Sequence, residues 1–386
     1  MTEGYCALAE LCETEITDGT HQTPVYSDKG YIFLSSKNVT SGVIDWENVK
    51  YISEDLHNEL YARIKPQMDD ILLAKNGTTG IAALVDRDEI FDIYVSLALI
   101  RPDKNKVLPQ YLLYAINSSK SQKFFKSNLK GIGVPNLHLT HIRETPIKIY
   151  SLPEQSQIVE RLRYVDDLLR KYTQKLSTLD NLVKSRFIEM FGDINLNEKT
   201  WATSRMEDIC ESIGDGLHGT PKYDEQGKIP FINGNNLDGT IIHTSTTKYI
   251  DEEEYKRLFI HLSNNAILLS INGTLGKLAY YCGEKLCLGK SAAYFNVKQD
   301  YNRIFVYELM RTEQFQQYLE SNSTKSTIKN VGLKALRDYK IITPPHDLQN
   351  QFADFVQQAD KSKLAVQQSI DTLQTLKDKL MQDYFG

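Results

Sequence analysis

Three stretches of this 386-residue chain hold residue types that could do chemistry, and each misses the spacing its chemistry needs. Gly283-Glu-Lys-Leu-Cys-Leu-Gly-Lys-Ser291 ends like a nucleotide-binding loop, but its glycines stand one residue further apart than a phosphate cradle requires. Gly273-Thr-Leu-Gly-Lys277 is shorter still and reads as a turn after a strand. A strand end that grips a flipped base for amino-methylation needs Asn or Asp before two prolines and an aromatic after them. Thr343-Pro-Pro-His346 has neither, and no cofactor-binding glycine loop precedes it. The His-Glu-x-x-His and Gly-x-Ser-x-Gly motifs are absent, and the five cysteines form no Cys-x-x-Cys, so no metal, disulfide framework or nucleophile is indicated.

Loops suited to reading DNA are what remain. Asn can hold adenine through two hydrogen bonds, Lys reaches guanine, Thr offers a hydroxyl and a methyl, and amides at glycine turns approach phosphates. These types gather at 20–23 (Thr20, His21, Thr23), 37–40 (Lys37, Asn38) and 75–79 (Lys75, Asn76, Thr78, Thr79). They gather again at 218–222 (His218, Thr220, Lys222), 233–236 (Asn233, Asn235, Asn236) and 272–277 (Asn272, Thr274, Lys277). Singly, they have plainer readings: Asp18 and Asp215 as turn formers, Gly77 and Gly273 as turn glycines, the histidines as satisfied structural groups. Together the loops make a candidate DNA face. The formal charge of −5 weighs against nucleic-acid binding overall, since phosphate contacts need clustered Lys and Arg, but leaves room for a local basic face.

The elements that position these loops are written twice. Asp18-Gly-Thr-His-Gln-Thr-Pro24 recurs as Asp215-Gly-Leu-His-Gly-Thr-Pro221, with five of seven residues identical at an offset of 197. Tyr26 and Gly30 match Tyr223 and Gly227 at the same offset. Ile71-Leu-Leu-Ala-Lys-Asn-Gly-Thr-Thr-Gly80 recurs as Ile267-Leu-Leu-Ser-Ile-Asn-Gly-Thr-Leu-Gly276. Asn136, Leu139 and Arg143 match Asn330, Leu333 and Arg337, and Phe191-Gly192 matches Phe385-Gly386. Each copy is a globular part followed, past a proline-marked break, by a helix.

Short β-branched or aromatic stretches (31–34, 71–73, 147–150) and a helical spacing over 108–129 make the globular parts mixed α/β, without giving the strand order. In the first long helix Ile158, Leu162, Val165, Leu169, Tyr172, Leu176, Leu179 and Val183 alternate by four and three, which is a coiled-coil seam. The second is looser: Phe352, Val356, Ala359, Val366, Ile370 and Leu373 keep the pattern, Lys363 and Lys377 interrupt it, and Leu376 and Leu380 rejoin it. The expected partner of each seam is the other helix, in preference to each helix packing on its own domain. No apolar run approaches a membrane span, and the acidic N-terminus (Glu3, Glu10) lacks the basic start of a leader, so a cytoplasmic protein with no membrane partner is expected.

In order and duplication, the paired Asp-Gly-x-His-x-Thr-Pro and Ile-Leu-Leu-x-x-Asn-Gly-Thr-x-Gly segments and the proline-to-helix joins (Leu152-Pro-Glu-Gln-Ser-Gln-Ile158; Pro344-Pro-His-Asp-Leu-Gln-Asn-Gln-Phe352) resemble the specificity subunit of type I restriction-modification enzymes. The resemblance covers essentially the whole chain. It implies two tandem-repeated target-recognition domains, 1–153 and 201–346, separated by two long antiparallel coiled-coil helices (154–200 with a linker, 347–386) in a pseudo-two-fold arrangement. Each domain would read half of a bipartite, asymmetric site in double-stranded DNA. It also implies partners: two methyltransferase subunits that bring S-adenosylmethionine and modify adenine, and motor-nuclease subunits. This chain itself would hold no cofactor and catalyse nothing. The alternatives are a degenerate nucleotide- or S-adenosylmethionine-using enzyme centred on 283–291, and a protein scaffold on the paired helices without DNA.

Overall fold

The computed structural model describes residues 4–129 and 135–386, so Glu3 of the leader argument lies outside the described residues. The chain divides into two compact units, 1–173 with 368–386, and 174–367. The division runs through both long helices, where four sequential segments were expected.

In the first unit the apolar strand Ile71–Ala74 is buried along its whole length at the centre of a four-stranded antiparallel sheet. It pairs with Ala82–Leu84 on one side and Leu97–Ile100 on the other, and Thr17–Asp18 adds the far edge. Tyr31–Leu34 forms a second sheet, antiparallel to Lys50–Ile52 and parallel to Phe91–Ile93. Tyr5–Ala7 pairs with Pro146–Lys148 beside the start of the long helix.

The second unit repeats this plan. Ala266–Ser270 is central, between Leu278–Tyr280 and Ala292–Val297, with Cys210–Asp215 at the edge. Ile229–Ile232 lies antiparallel to Lys248–Ile250 and parallel to Cys287–Leu288. Thr203–Arg205 pairs with Lys340–Ile342, and the second unit adds a short hairpin, Leu237–Asp238 with Thr240–Ile241. With Cys287–Leu288 in a strand, the 283–291 stretch has no phosphate-loop conformation.

The helical spacing over 108–129 resolves into two helices, Pro109–Asn117 and Ser119–Ser127. Ser118 is extended (ψ 155°) and its hydroxyl caps the next helix at Ser121 N, because a serine side chain competes well for exposed first-turn amides. Thr312 does the same between Arg303–Arg311 and Glu313–Ser321.

The long helices run unbroken over Leu152–Phe191 and His346–Phe385, 40 residues each. Their starts are tied down by a fully buried glutamine. Gln155 Oε1 accepts Leu108 N (2.8 Å) while its amide donates to the carbonyls of Lys106 and Tyr150. Gln349, at the same place in the repeat, accepts Asn302 N (3.0 Å) and donates to Pro344 O (2.8 Å).

The helices both pair and join the domain cores. In the first unit Ile158 and Leu162 of one helix and Phe385 of the other share a core with Leu8, Ile71 and Tyr111. In the second, Val183, Phe187, Phe191, Phe352 and Val356 share one with Phe295 and Phe305. Packing on the domain, set aside at the sequence level, therefore holds at the helix ends. Between them Leu169, Tyr172, Leu176, Leu179, Ile370 and Leu373 are half-buried along the seam, and Val165 and Val366 are buried. Leu376 does not rejoin the stripe: it is 44 % exposed, whereas Leu380 packs on the core. Nor do the two lysines simply interrupt it. Lys377 Nζ lies 2.7 Å from Asp166 on the first long helix, and Lys363 Nζ 2.7 Å from Asp180.

Candidate nucleic-acid interface

Within each unit one three-residue segment brings the candidate loops side by side. In the first unit it is 94–96. Val95 N donates to Thr20 O (3.0 Å), Ser96 Oγ accepts Ser36 N (2.9 Å), and Ser96 O accepts Lys75 N (2.9 Å). The 20–23, 35–38 and 75–79 loops thus share a backbone hub. In the second unit the hub is 289–291. Lys290 N donates to Leu217 O (3.1 Å), Ser291 Oγ accepts Gly234 N (2.9 Å), and Ser291 O accepts Ile271 N (3.0 Å). The Gly-Lys-Ser considered above as part of a phosphate loop is this hub.

The Asp-Gly pair fits against the hub. A Cβ on Gly19 would sit 1.9 Å from Ile93 O, and one on Gly216 2.1 Å from Leu288 O, so only glycine allows the approach. The adjoining aspartates are not turn formers; they end strands and hold side chains. Asp18 binds Lys75 (2.9 Å) and His21 (3.2 Å), and Asp215 binds His218 (2.7 Å). Both imidazoles remain outward, 70 % and 71 % exposed.

The Asn-Gly loops turn at Gly77 (φ +76°) and Gly273 (φ +77°), the left-handed region expected of turn glycines. Asn76 bridges to Asn136 and Asn272 to Asn330. Asn272 Nδ2 donates to Asn330 Oδ1 (3.3 Å), while Asn76 Oδ1 and Asn136 Oδ1 are buried without a partner among the described residues.

Three of the residue assignments turn inward. Asn38 is buried: its Oδ1 accepts Ser35 N (2.9 Å) and its amide donates to Asn48 O (3.1 Å). Asn236 is its equivalent, accepting Asn233 N (3.0 Å) and donating to Ile242 O and Thr247 Oγ1. These asparagines fold the loop, so their amides are unavailable to a base. Lys75 is buried with its ammonium on Asp18. Outward-facing side chains are Thr23, Lys37 and Thr78 in the first unit, and Thr220, Lys222, Asn235, Thr274 and Lys277 in the second. Thr20, Asn76, Thr79, Asn233 and Asn272 are half-buried, and Asn233 Oδ1 already accepts Ser291 Oγ (2.9 Å).

The 218–222 loop has its own anchor. Glu254 accepts Lys222 N (2.9 Å) and Arg257 Nε (2.8 Å), and these bonds to the charged form, Arg257 first, hold its carboxyl at about 2. Two residues escaped the sequence reading. Lys290 and Asn330 line a recess of about 410 Å³ with Asp215, His218 and Asn272. Asn330 was visible as a repeated position, but Lys290 stood in a motif set aside for the wrong spacing.

Two copies of one loop frame, differing at some of their exposed tips, belong to a known kind of protein. A family model of the type I restriction modification DNA specificity domain matches residues 7–180 and again 198–375. The chain belongs to this family. Among its relatives, a protein assigned as the MjaX type I restriction enzyme specificity subunit of Methanocaldococcus jannaschii is 23% identical over 380 residues, 91% of this chain and 85% of that protein. The Escherichia coli EcoBI specificity subunit is 24% identical over 158 residues, covering 40% of this chain and 33% of its own length. The crystal structure of the type I restriction-modification S subunit from M. genitalium matches with a TM-score of 0.58 at 15% identity, over 99% of this chain and 96% of that one. A chain from a structural study of complex assembly in the type I system matches at 0.57 and 17% identity, over 99% and 97%. At these identities the structural likeness speaks for the fold; the family match carries the function. As a type I specificity subunit the chain is non-catalytic and supplies DNA target recognition to a restriction-modification complex. No helix among the described residues is long and apolar enough to cross a membrane.

Proposed function

We propose that each unit reads one half of a bipartite, asymmetric DNA site through the loops gathered at its hub, and that the paired long helices set the spacer. The first half-site would be read from His21, Thr23, Lys37, Asn76, Thr78 and Thr79, with Thr20 beside them. The second would be read from His218, Thr220, Lys222, Asn235, Asn272, Thr274 and Lys277, with Asn233, Lys290 and Asn330. One observation carries this reading above the rest: hydrogen bonds repeated from unit to unit hold the loops, while part of the outward set differs at matched positions and part (His21 and His218, Thr23 and Thr220, Thr78 and Thr274) is shared. Lys37 stands where Asn235 does, and Gln22 where Gly219 does. A repeated frame with partly divergent tips suits two readers of unlike sequences, because base-edge contacts specify and the frame only positions them.

In this reading two methyltransferase subunits bring S-adenosylmethionine and modify one adenine in each half-site, the target base leaving the stack to reach them. Motor-nuclease subunits complete the assembly, and the complex works in the cytoplasm. The test is methylation mapping with the partner methyltransferase present. Lys37→Ala with Thr78→Ala should relax the first half-site alone, and Asn235→Ala with Lys277→Ala the second alone, at about 1–3 kcal/mol of discrimination per lost base contact. Equal relaxation of both half-sites by either pair would contradict the assignment.

A further inference from the structure

The long helices carry charge where an apolar seam has none to spare. Lys363 and Lys377 occupy seam positions of the second helix, two heptads apart, and their partners Asp180 and Asp166 are two heptads apart on the first. Both pairs therefore belong to one antiparallel register, since 166 + 377 and 180 + 363 are equal. A slip of one heptad either way puts Thr173 or Val159 opposite Lys377, and Phe187 or Thr173 opposite Lys363. Neither slip offers a carboxylate from the facing position, while Asp360 of its own helix (3.2 Å) would stay with Lys363. A lysine in a coiled-coil seam is a device for register, bought at some cost in stability.

Each pair is also held by its own recognition domain. In the first unit Tyr114, from the helix Pro109–Asn117, donates its hydroxyl to the second oxygen of Asp166 (2.6 Å). In the second unit Arg311, from the equivalent helix Arg303–Arg311, lies 3.9 Å from Asp180 and is braced by Glu308 (3.0 Å) at the repeat position of Tyr114. The chemistry differs between units and the connection is the same: domain helix, aspartate of the first long helix, lysine of the second. These groups are only partly buried, with the four Asp and Lys side chains 20 % to 44 % exposed. Pairs of that exposure add little stability, so their value lies in direction.

We propose that Asp166–Lys377 and Asp180–Lys363, with Tyr114 and Arg311, are the residues that determine the spacer of the DNA site. The pairs select one register of the helices, and Tyr114 and Arg311 transmit that register to the loops that read. The proposal rests on the reading of the helices as the ruler of a bipartite site.

The experiment is methylation mapping in a host carrying the full chain and its methyltransferase, scored as the distribution of spacer lengths. Lys363→Met with Lys377→Met restores an apolar seam and should preserve folding, because Asp166 and Asp180, 33 % and 44 % exposed, stay in contact with water once their lysines are removed. Methylation at spacers about three base pairs longer or shorter, the span of one heptad of slip, should rise several-fold relative to the native spacer, the scale of losing two part-exposed ion pairs. Half-site sequences should stay unchanged. Tyr114→Phe deletes one hydroxyl and should broaden the distribution in the same direction. An unchanged distribution in an active variant overturns the proposal, and so does total loss of methylation by Tyr114→Phe, which would make the contact one of assembly. If the unaltered chain itself gave no two-part site, the ruler reading would fall instead.

Discussion

Lengthening the helix pair by one heptad is the sharpest mechanical perturbation available. The insertions belong between Thr173 and Gln174 and between Gln367 and Gln368, where the helices pass from one unit to the other and neither Asp166–Lys377 nor Asp180–Lys363 is disturbed. Seven residues keep the four-three seam in phase, whereas any other short insertion rotates it away from its partner. At about 1.5 Å per residue each helix gains about 10 Å, and at about 3.4 Å per base pair the preferred spacer should grow by about three base pairs. Three base pairs also turn the duplex by about 100°, given about 10 base pairs per turn, so the outcome is read as the peak of a distribution of spacers. Methylation mapping provides it. Half-sites should keep their sequences while the spacer lengthens; an active variant with the original spacer would refute the idea that the helices measure the site.

Three further outcomes follow from the frame. Gly216→Ala would drive a Cβ to 2.1 Å from the Leu288 backbone, and overpacking of this kind costs about 1–3 kcal/mol, which a urea unfolding curve should register along with loss of second half-site reading. Gln155→Ala strands the part-buried Leu108 amide that it held; at up to about 1–3 kcal/mol for an orphaned group it should lower the melting temperature, and an unchanged melt would deny the anchor. Glu254, with its carboxyl at about 2 against an ordinary 4.5, contributes stability that is fully present above pH 4.5 and fades as pH falls toward 2. Glu254→Gln should therefore flatten the acid limb of a stability-versus-pH curve, and an identical limb would show that the carboxylate does not anchor the 218–222 loop.

Much of this was legible in the sequence because duplication turns one chain into its own comparison. The strands 31–34 and 71–74, both long helices and the turn glycines Gly77 and Gly273 carry local signals, in period or in φ preference, that tertiary packing did not override. Other features depended on partners distant in sequence. Asn38 and Asn236 look like base readers by type, yet they close their own loops, since an asparagine amide satisfies backbone groups as readily as an adenine. Lys75 faces Asp18 across 57 residues, which no local pattern reveals. The lysines at 363 and 377 looked like defects until the facing helix supplied their carboxylates. The break at Ser118 was hidden because the helices on either side bury one continuous set of apolar residues.

The central claim is that this chain lends a two-part DNA specificity to catalysis performed elsewhere. The most direct measurement maps methylated adenines, at single-base resolution, in a methylation-free host given this chain together with its methyltransferase, and in hosts given each alone. The account predicts one asymmetric, two-part motif with a constant spacer when both are present, and no site-specific methylation from either alone. Methyl transfer by the chain alone, or a single uninterrupted motif, would contradict it.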